Sequence, residues 1–338
     1  MSTVLVTGGS GFIGGWCVLA LLEAGHDVRT TVRDLKRAPV LRQRLHGNLE
    51  FDDDRLAVVR ADLDGDDGWA EAVAGCEHVL HVASPTLRNA VESEAAMIAS
   101  ARDGVLRVLR ASRDAGVKRV VLTSAFGAVG YGHAPRSTPF TEEDWTNVDG
   151  GIAPYQKSKT LAERAAWEFI ENEGGGMEMA AVHPVGVLGP LLGPDDPPSL
   201  RLVRGLLAGQ LPACPPFGSA QVDVRDVADL HLRAMTDPAA AGERFLASTG
   251  PSLRAVEIAR VLRARLGDRA AKVPTREIPL PVARALSLVS PALRALRPQL
   301  GRDFPASGAK AERVLGWQAR PVGDTIQETA ESILAQPL

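Results

Sequence analysis

VLVTGGSGFIG, residues 4–14, is a short apolar run that ends in a glycine-rich turn and leads directly into a helical apolar pattern. This order predicts a buried strand, a tight turn and a helix. The glycines fall as G-x-x-G-x-x-G at Gly8, Gly11 and Gly14, a spacing typical of a turn that binds a dinucleotide. Gly8 lets the chain turn, Gly11 lets the backbone approach a pyrophosphate, and Gly14 lets the helix pack close to its strand. A purely structural turn is the alternative, because any tight strand–helix connection favours glycine.

Composition narrows the class of protein. The 338 residues suit one large or two modest domains, and a net charge of −3 without a basic run gives no sign of nucleic-acid binding.

The three cysteines have neither metal-ligand nor redox spacing, so we expect free thiols in a reducing compartment and no metal site. A strand at the N-terminus predicts no signal or transit peptide, and hence a cytoplasmic protein. The sequence is compatible with a monomer and with a homodimer.

Residues 278–300 are the most membrane-like part of the chain. Prolines and arginines interrupt this apolar segment too often for a spanning helix, so we expect no membrane span. A surface-lying amphipathic helix remains the alternative there.

The second strand, residues 26–32, ends at the position that discriminates between the two nicotinamide cofactors. In the NAD-type arrangement an acidic residue stands there and binds the ribose 2′-OH. This chain has Arg33, with Lys36 close behind. A guanidinium fork suits a 2′-phosphate, so the sequence favours NADP(H) over NAD(H). An inward-turned Asp34 would reverse that preference.

Strands and helices alternate through the first half of the chain. Further apolar runs at 56–61, 78–83, 118–123 and 179–182 predict strands, and helical patterns at 69–73, 91–115 and 155–173 lie between them. The alternation predicts an α/β fold with a Rossmann-type doubly wound parallel sheet, and a ligand outside the carboxyl ends of its strands. At those ends, Asp62 either accepts from an adenine amino group or caps the short helix at 69–73. His81 reads as a satisfied core histidine.

The alternation loosens after residue 190. A helix follows 222–227 with Asp226 as its predicted N-cap, a strand is predicted at 245–248, and helices at 253–266, 281–297 and 324–335. We therefore expect a dinucleotide-binding domain of residues 1–190, rejoined by 218–250. Residues 191–217 and 251–338 would form a smaller, mostly helical substrate-binding portion.

Tyr155 and Lys159 carry the predicted chemistry. They stand four apart at the start of a helix, so both side chains lie on one face. An ammonium beside a phenol favours the phenolate, which lets the phenol exchange a proton with a carbonyl oxygen near neutral pH. At the end of the strand predicted at 118–123, Thr123 and Ser124 can donate to the same carbonyl oxygen. A chance Y-x-x-x-K with a solvated lysine is the alternative, although one of only two tyrosines falls in the pattern.

These motifs together resemble the extended short-chain dehydrogenase/reductase family, in the branch of dihydroflavonol reductases, cinnamoyl-CoA reductases and yeast-type aldehyde reductases. The resemblance covers nearly the whole chain. It rests on residues 7–14, 31–34, 81–85, 155–163, 184–190, 224–228 and 310–317.

The resemblance implies that Tyr155 is the general acid, that Lys159 lowers its pKa and holds the ribose, and that a serine, Ser124 here, orients the carbonyl. It further implies a cofactor site formed by Gly8, Ser10, Gly11, Phe12, Ile13, Arg33, Lys36, Asp62, Leu63, Val82, Ala83, Ser84, Thr123, Tyr155, Lys159, Pro184, Val185 and Val187.

The chain departs from the family pattern in two places, one at the donor that orients the carbonyl and one that bears on the substrate. The branch has Thr-Ser-Ser after strand five with the second serine catalytic, whereas this chain has Thr123-Ser124-Ala125. Either Ser124 or Thr123 takes the role, or the orienting donor is weakened. Residues 152–155 also lack the cinnamoyl-CoA reductase pattern, so we do not expect a CoA thioester substrate.

The first hypothesis is an NADPH-dependent carbonyl reductase or alcohol dehydrogenase acting on a small-molecule aldehyde, ketone or alcohol. A sugar-nucleotide epimerase or dehydratase, or a hydroxysteroid-type dehydrogenase, would use the same residues. A non-enzymatic NADP(H) sensor is the third alternative, motivated by Ala125.

Overall fold

The computed structural model describes residues 2–85, 93–210 and 212–336. The strands in these residues are β1 (Thr3–Thr7), β2 (Asp27–Val32), β3 (Leu56–Arg60), β4 (His78–His81), β5 (Arg119–Thr123), β6 (Glu178–Pro184), β7 (Gly186–Leu188), β8 (Gly218–Ser219), β9 (Gln221–Asp223), β10 (Arg244–Ala247), β11 (Leu253–Arg254) and β12 (Asp303–Phe304). The helices are α1 (Phe12–Glu23), α2 (Ala38–His46), α3 (Trp69–Val73), α4 (Glu94–Asp114), α5 (Pro154–Glu173), α6 (Arg201–Leu207), α7 (Val224–Thr236), α8 (Ala255–Leu266), α9 (Leu280–Leu286), α10 (Pro291–Leu296), α11 (Ala309–Leu315) and α12 (Val322–Leu334).

Seven parallel strands form the central sheet, in the order β10-β6-β5-β4-β1-β2-β3. Helices α1 and α7 cover one face, and α4 and α5 cover the other. All five residues of β5 are buried, as a parallel strand covered on both faces requires. The strand order reverses between β1 and β4, so ligands are expected in the crevice at that point. The predicted doubly wound sheet is confirmed.

The remaining elements form smaller layers beside the sheet. Strand β8 pairs with β11 and β12, and β7 pairs with β9. Helices α6, α8 and α12 share one apolar core. The predicted strand near residue 245 is β10, which joins the large sheet alongside β6.

Several predicted elements differ from the structure. The single helix predicted at 281–297 is two helices, because Pro291 cannot continue a helix but suits the first turn of the next. The N-cap of α7 is Asp223, whose carboxylate accepts from the backbone N–H of Arg225, so the prediction of Asp226 was wrong. Helix α11 was not predicted. The predicted start of α4 at residue 91 lies outside the described residues.

Candidate active site

The glycine turn joins β1 to α1 with backbone packed against backbone. Gly8 has a φ of 71°, a conformation that favours glycine. A Cβ on Gly14 would lie 2.3 Å from the carbonyl oxygen of Gly8, so no side chain fits there. The N-cap of α1 is Gly11, and no side chain caps this end of the helix. Its first N–H groups therefore face the turn as donors for an anionic group.

The end of β2 presents the predicted phosphate-binding cations. Arg33 and Lys36 are both exposed beyond Val32. The Asp34 carboxylate accepts from the backbone N–H of Lys36 at 3.0 Å and so caps its own turn. Because that carboxylate is engaged locally, the geometry favours the arginine interpretation over an inward-turned Asp34.

Two residues beside the glycine turn were missed by the sequence reasoning. Arg44 of α2 and Asp195 form an ion pair of 2.8 Å, and both line a cleft against Ser10 and Gly11. They lie 151 residues apart, so no local pattern reveals the contact. This pair ties the segment after β7 to the mouth of the predicted pyrophosphate site.

A second cleft lies at the carboxyl ends of β4 and β5. Six of the predicted site residues line it together: Leu63, Ala83, Ser84, Thr123, Ser124 and Lys159. The backbone N–H of Ala83 donates to the Thr7 hydroxyl at 2.9 Å, which holds the end of β4 against the glycine turn. The partly buried side chain of Val82 packs against the hydrophobic core on the face of the sheet that α1 and α7 cover.

His81 is the last residue of β4, and Asp62 follows the end of β3. His81 is buried, its Nδ1 lies 2.9 Å from the Thr7 hydroxyl, and burial lowers its pKa to about 3, which confirms a neutral core histidine. The N-cap of α3 is Gly68, so the alternative in which Asp62 caps that helix is wrong. The backbone oxygen of Asp62 instead accepts from the indole N–H of Trp69 at 3.0 Å.

Residues 184–187 run from the last residue of β6 into β7, beside the same edge of the sheet. Pro184 is buried and pairs with Ala247, and the N–H of Val185 donates to the oxygen of Ala247 at 3.3 Å. Val187 lies in β7 with its side chain in the core, so only its backbone is available to a ligand.

Tyr155 and Lys159 occupy the first two turns of α5. Lys159 Nζ donates to the backbone oxygen of Thr123 at 3.1 Å, which fixes the ammonium at the end of β5. The ring of Tyr155 lies over Gly127, where a Cβ would stand 3.6 Å from the ring carbon Cε1. The end of β5 thus supports Lys159, which lines the cleft, and the short turn at 126–128 supports Tyr155 one helical turn before it.

Burial shifts the pKa values of both members of this pair. Tyr155 is 49% exposed, and protein atoms on its remaining sides desolvate the phenol and raise its pKa above the ordinary value. Burial lowers the pKa of Lys159 to about 8. In this structure the ammonium bonds to Thr123 and not to the phenol, so the lowering of the Tyr155 pKa by Lys159 stays a prediction. The phenol is protonated at neutral pH.

The hydroxyl of Thr123 points away from the cleft. Its Oγ1 lies 2.7 Å from His231 Nε2, and His231 Nδ1 lies 2.7 Å from the carbonyl oxygen of Val227. Because a carbonyl only accepts, Nδ1 carries the proton, and the neutral ring accepts at Nε2. Burial lowers the pKa of His231 to about 4, which keeps the ring neutral. The Thr123 hydroxyl therefore donates to His231.

The hydroxyl of Ser124 also has a buried partner. It donates to Glu163 Oε2 at 2.5 Å. Burial alone would raise the pKa of Glu163, but the His183 and Arg244 charges and hydrogen bonds from His183 and Ser124 lower it to about 2. The ionised carboxylate can only accept, so the Ser124 hydrogen is committed to it. The structure gives Ser124 a different partner from the predicted substrate oxygen, and Ala125 has no hydroxyl.

Glu163 is the centre of a polar cluster that was not predicted from the sequence. Its carboxylate also accepts from Arg244 Nε at 2.8 Å and lies 2.8 Å from His183 Nε2. Arg244 donates in turn to the backbone oxygens of Glu142 and Asp144 in the loop before α5. We call these residues, with Ser124, the Glu163 cluster. It joins β5, β6, β10, α5 and the 125–154 loop beneath the cleft.

No group of histidine, cysteine and acidic side chains suited to a metal ion is present in residues 2–85, 93–210 and 212–336. Among the same residues, no helix is both long and apolar enough to cross a bilayer.

Comparison with known proteins identifies relatives over most of the chain. The sequence model of the NAD dependent epimerase/dehydratase family matches residues 4–247. A dihydroflavonol 4-reductase of Zea mays is 35% identical over 257 residues, which are 73% of this chain and 70% of the maize protein. A cinnamoyl-CoA reductase of Medicago truncatula is 32% identical over 268 residues, 78% of this chain and 80% of that protein.

A solved structure with a bound cofactor has the same fold. The yeast methylglyoxal/isovaleraldehyde reductase Gre2, crystallised with NADPH, is 26% identical and has a TM-score of 0.78. The comparison covers 98% of each chain.

Proposed function

This chain belongs to the NAD dependent epimerase/dehydratase family, and from that membership we propose that it is an NADPH-dependent carbonyl reductase acting on an aldehyde or ketone. One observation carries the proposal. Tyr155 and Lys159 lie one turn apart at the start of α5, and the Lys159 ammonium is anchored on Thr123 at the carboxyl end of β5. The reductase names of the maize, Medicago and yeast relatives point to the same reaction class.

The residues present fit NADP(H). The turn at Gly8 and Gly14 leaves no room for side chains, and the uncapped N-terminus of α1 offers donors to a pyrophosphate. Arg33 and Lys36 offer cations for the 2′-phosphate, while Asp34 is engaged in its own turn. When bound, the cofactor supplies the hydride. Leu63, Ala83 and Ser84 would line its path across the sheet.

The protein's part of the reaction is proton transfer and orientation. The Tyr155 phenol, protonated at neutral pH, would donate its proton to the substrate oxygen as charge develops there. Lys159 would stabilise the resulting phenolate and hold the cofactor ribose. In the reverse direction the phenolate would take the proton of an alcohol. The hydroxyls of Thr123 and Ser124 are hydrogen-bonded to buried partners. We therefore propose that, of these three hydroxyls, only that of Tyr155 donates a hydrogen bond to the substrate oxygen.

The proposed division of the chain follows the topology. Residues 1–190 with 218–250 would bind NADP(H), and 191–217 with 251–338 would form the substrate-binding portion. The substrate is proposed to be a small molecule that is not a CoA thioester, and the protein a cytoplasmic monomer or homodimer.

NADPH consumption against a panel of aldehydes, ketones, flavonoid-like carbonyls and one CoA thioester tests the proposal, with NADH run in parallel. We expect turnover of at least one free carbonyl compound. Tyr155→Phe should bind NADPH normally and lose about 10²–10⁴-fold in kcat, the usual contribution of a positioned proton donor. Tyr131→Phe, at the other tyrosine, should keep most of the turnover. A Tyr155→Phe enzyme with parental kcat would overturn the mechanism.

Epimerization is the second candidate because the matched family includes epimerases and dehydratases. Such an enzyme would keep its cofactor through purification and consume none. Steady NADPH oxidation in the panel therefore separates the two functions.

A further inference from the structure

Helices α9 and α10 and the turn between them differ in charge from the rest of the chain. Residues 278–302, here called the basic hairpin, contain four arginines and no acidic residue, whereas the whole chain has a net charge of −3. Arg284, Arg294 and Arg297 are exposed. Among the described residues, no carboxylate lies within ion-pair distance of any of these three.

The basic hairpin has apolar side chains on two faces. One face, formed by Ile278, Ala283, Leu293 and Leu300, is buried against the protein. The other is open: Val282 is 47%, Leu286 40%, Leu288 61% and Val289 75% exposed. In the described part of the chain, half of the eight exposed large apolar side chains fall within residues 282–289. An apolar patch of this kind on a protein surface marks an interaction site.

The tip of the hairpin is held in shape by hydrogen bonds. Arg294 Nη2 donates to the backbone oxygen of Leu288 at 2.7 Å, and the buried Ser287 hydroxyl donates to the oxygen of Arg284 at 2.6 Å. The exposed side chains of Leu288 and Val289 are therefore presented by a defined turn between two helices.

The charges identify what covers this surface. In a two-fold symmetric dimer the patch would face itself and bring the arginines of both copies together, which is repulsive. An anionic bilayer attracts the arginines and also offers an apolar layer to the side chains between them. We propose that the basic hairpin binds the surface of anionic membranes, with Leu288 and Val289 inserted at the headgroup boundary.

Co-sedimentation with vesicles tests the proposal on the full-length protein. We expect binding to vesicles of phosphatidylglycerol and phosphatidylcholine, weakening with added salt, and little binding to phosphatidylcholine alone. Leu288→Asp/Val289→Asp should lower the partition coefficient at least about tenfold, because it places charge where apolar surface is buried. Arg284→Gln and Arg297→Gln should each weaken binding about fivefold.

Val40→Asp and Leu334→Asp are the matched controls, since these side chains are 50% and 41% exposed on other helices. They should bind vesicles like the parent. Far-UV circular dichroism and the affinity for NADPH in lipid-free buffer should be unchanged in the Leu288→Asp/Val289→Asp protein, since the proposed cofactor site lies in residues 1–190 and 218–250. These measurements separate failure of this proposal from failure of the proposed reductase function.

Three results would overturn the proposal: no binding to anionic vesicles, equal binding by the parent and the Leu288→Asp/Val289→Asp protein, or binding that ignores lipid charge. A dimer in analytical ultracentrifugation that the same double substitution dissociates would also overturn it, by assigning the patch to a second copy.

Discussion

The two sides of the parallel sheet are joined at their carboxyl ends in different ways. Where β1, β2 and β4 meet, backbone packs on backbone: the position of a Cβ on Gly8 lies 3.1 Å from Ala83 Cα. Where β5, β6 and β10 meet, the charged Glu163 cluster connects them. The first side, here called the glycine side, depends on the absence of side chains. The second, here called the Glu163 side, depends on a few charged side chains. They should therefore respond to substitution in different ways, one by losing cofactor and the other by losing stability.

The largest expected effect is on the Glu163 side. Glu163→Gln removes a buried charge and leaves Arg244 without its carboxylate, so the free energy of unfolding should fall by about 3–5 kcal/mol. Urea denaturation measures it. Glu168→Gln, at an exposed position on the same helix, is the control and should change stability by less than about 0.5 kcal/mol. Equal stability of the two variants would show that the cluster contributes nothing.

The pH dependence of stability provides a second measurement on the same variant. The pKa of Glu163 is about 2 in the folded protein against an ordinary 4.5, so the folded state binds fewer protons than the unfolded state between these values. The contribution of Glu163, about 3 kcal/mol from the size of the pKa change, is complete above pH 4.5 and is lost as the pH falls towards 2. The Glu163→Gln protein should lack this part of the acid destabilisation.

The glycine side should lose cofactor. Gly14→Ala places a Cβ 2.3 Å from the Gly8 oxygen, a backbone atom that can move only if the turn moves. Moving the turn displaces the backbone donors at the start of α1, and losing two hydrogen bonds to a charged group costs about 1.5–3 kcal/mol each, so we expect NADPH to bind about 100-fold more weakly in a fluorescence titration. Gly65→Ala is the control, since no atom lies within 4 Å of its added Cβ. Parental affinity in Gly14→Ala would mean that the turn does not hold the cofactor.

The same contrast explains what could be predicted from the sequence. The glycine turn and the position of Arg33 after β2 could be predicted because a strand, a turn and the next strand's end lie close together in the chain. The Glu163 cluster was missed because its partners are 39, 20 and 81 residues away, and neither propensity nor periodicity records such contacts.

The local sequence was also ambiguous where two nearby residues could fill the same role. Asp223 and Asp226 both suit a helix N-cap, and only the position of β9 decides for Asp223. The Y-x-x-x-K pattern correctly predicted that Tyr155 and Lys159 stand at the start of one helix. It did not reveal that the neighbouring hydroxyls turn away, because that depends on His231 and Glu163 from other elements.

Arg33→Ser tests the edge of the glycine side with a smaller effect. Hydrogen bonds to a charged group contribute about 1.5–3 kcal/mol, so the KM for NADPH should rise about tenfold or more. The KM for NADH should stay the same, since the two cofactors differ only by the 2′-phosphate that Arg33 is proposed to bind. An equal rise for both cofactors would assign Arg33 a structural role in place of phosphate recognition.

The smallest expected effect lies between the two sides, at Ala125. This residue is half-buried at the start of the turn beneath Tyr155 and has extended backbone, so a serine fits without strain. Ala125→Ser adds a donor that does not belong to the Glu163 cluster, and kcat should rise by up to about tenfold, less than the 10²–10³ attributed to a fully formed donor site. Ser124→Ala should instead cost about 1 kcal/mol of stability and leave kcat nearly unchanged, because its hydroxyl serves Glu163. If Ser124→Ala abolishes turnover while Ala125→Ser is neutral, Ser124 leaves the carboxylate during the reaction and is the orienting donor after all.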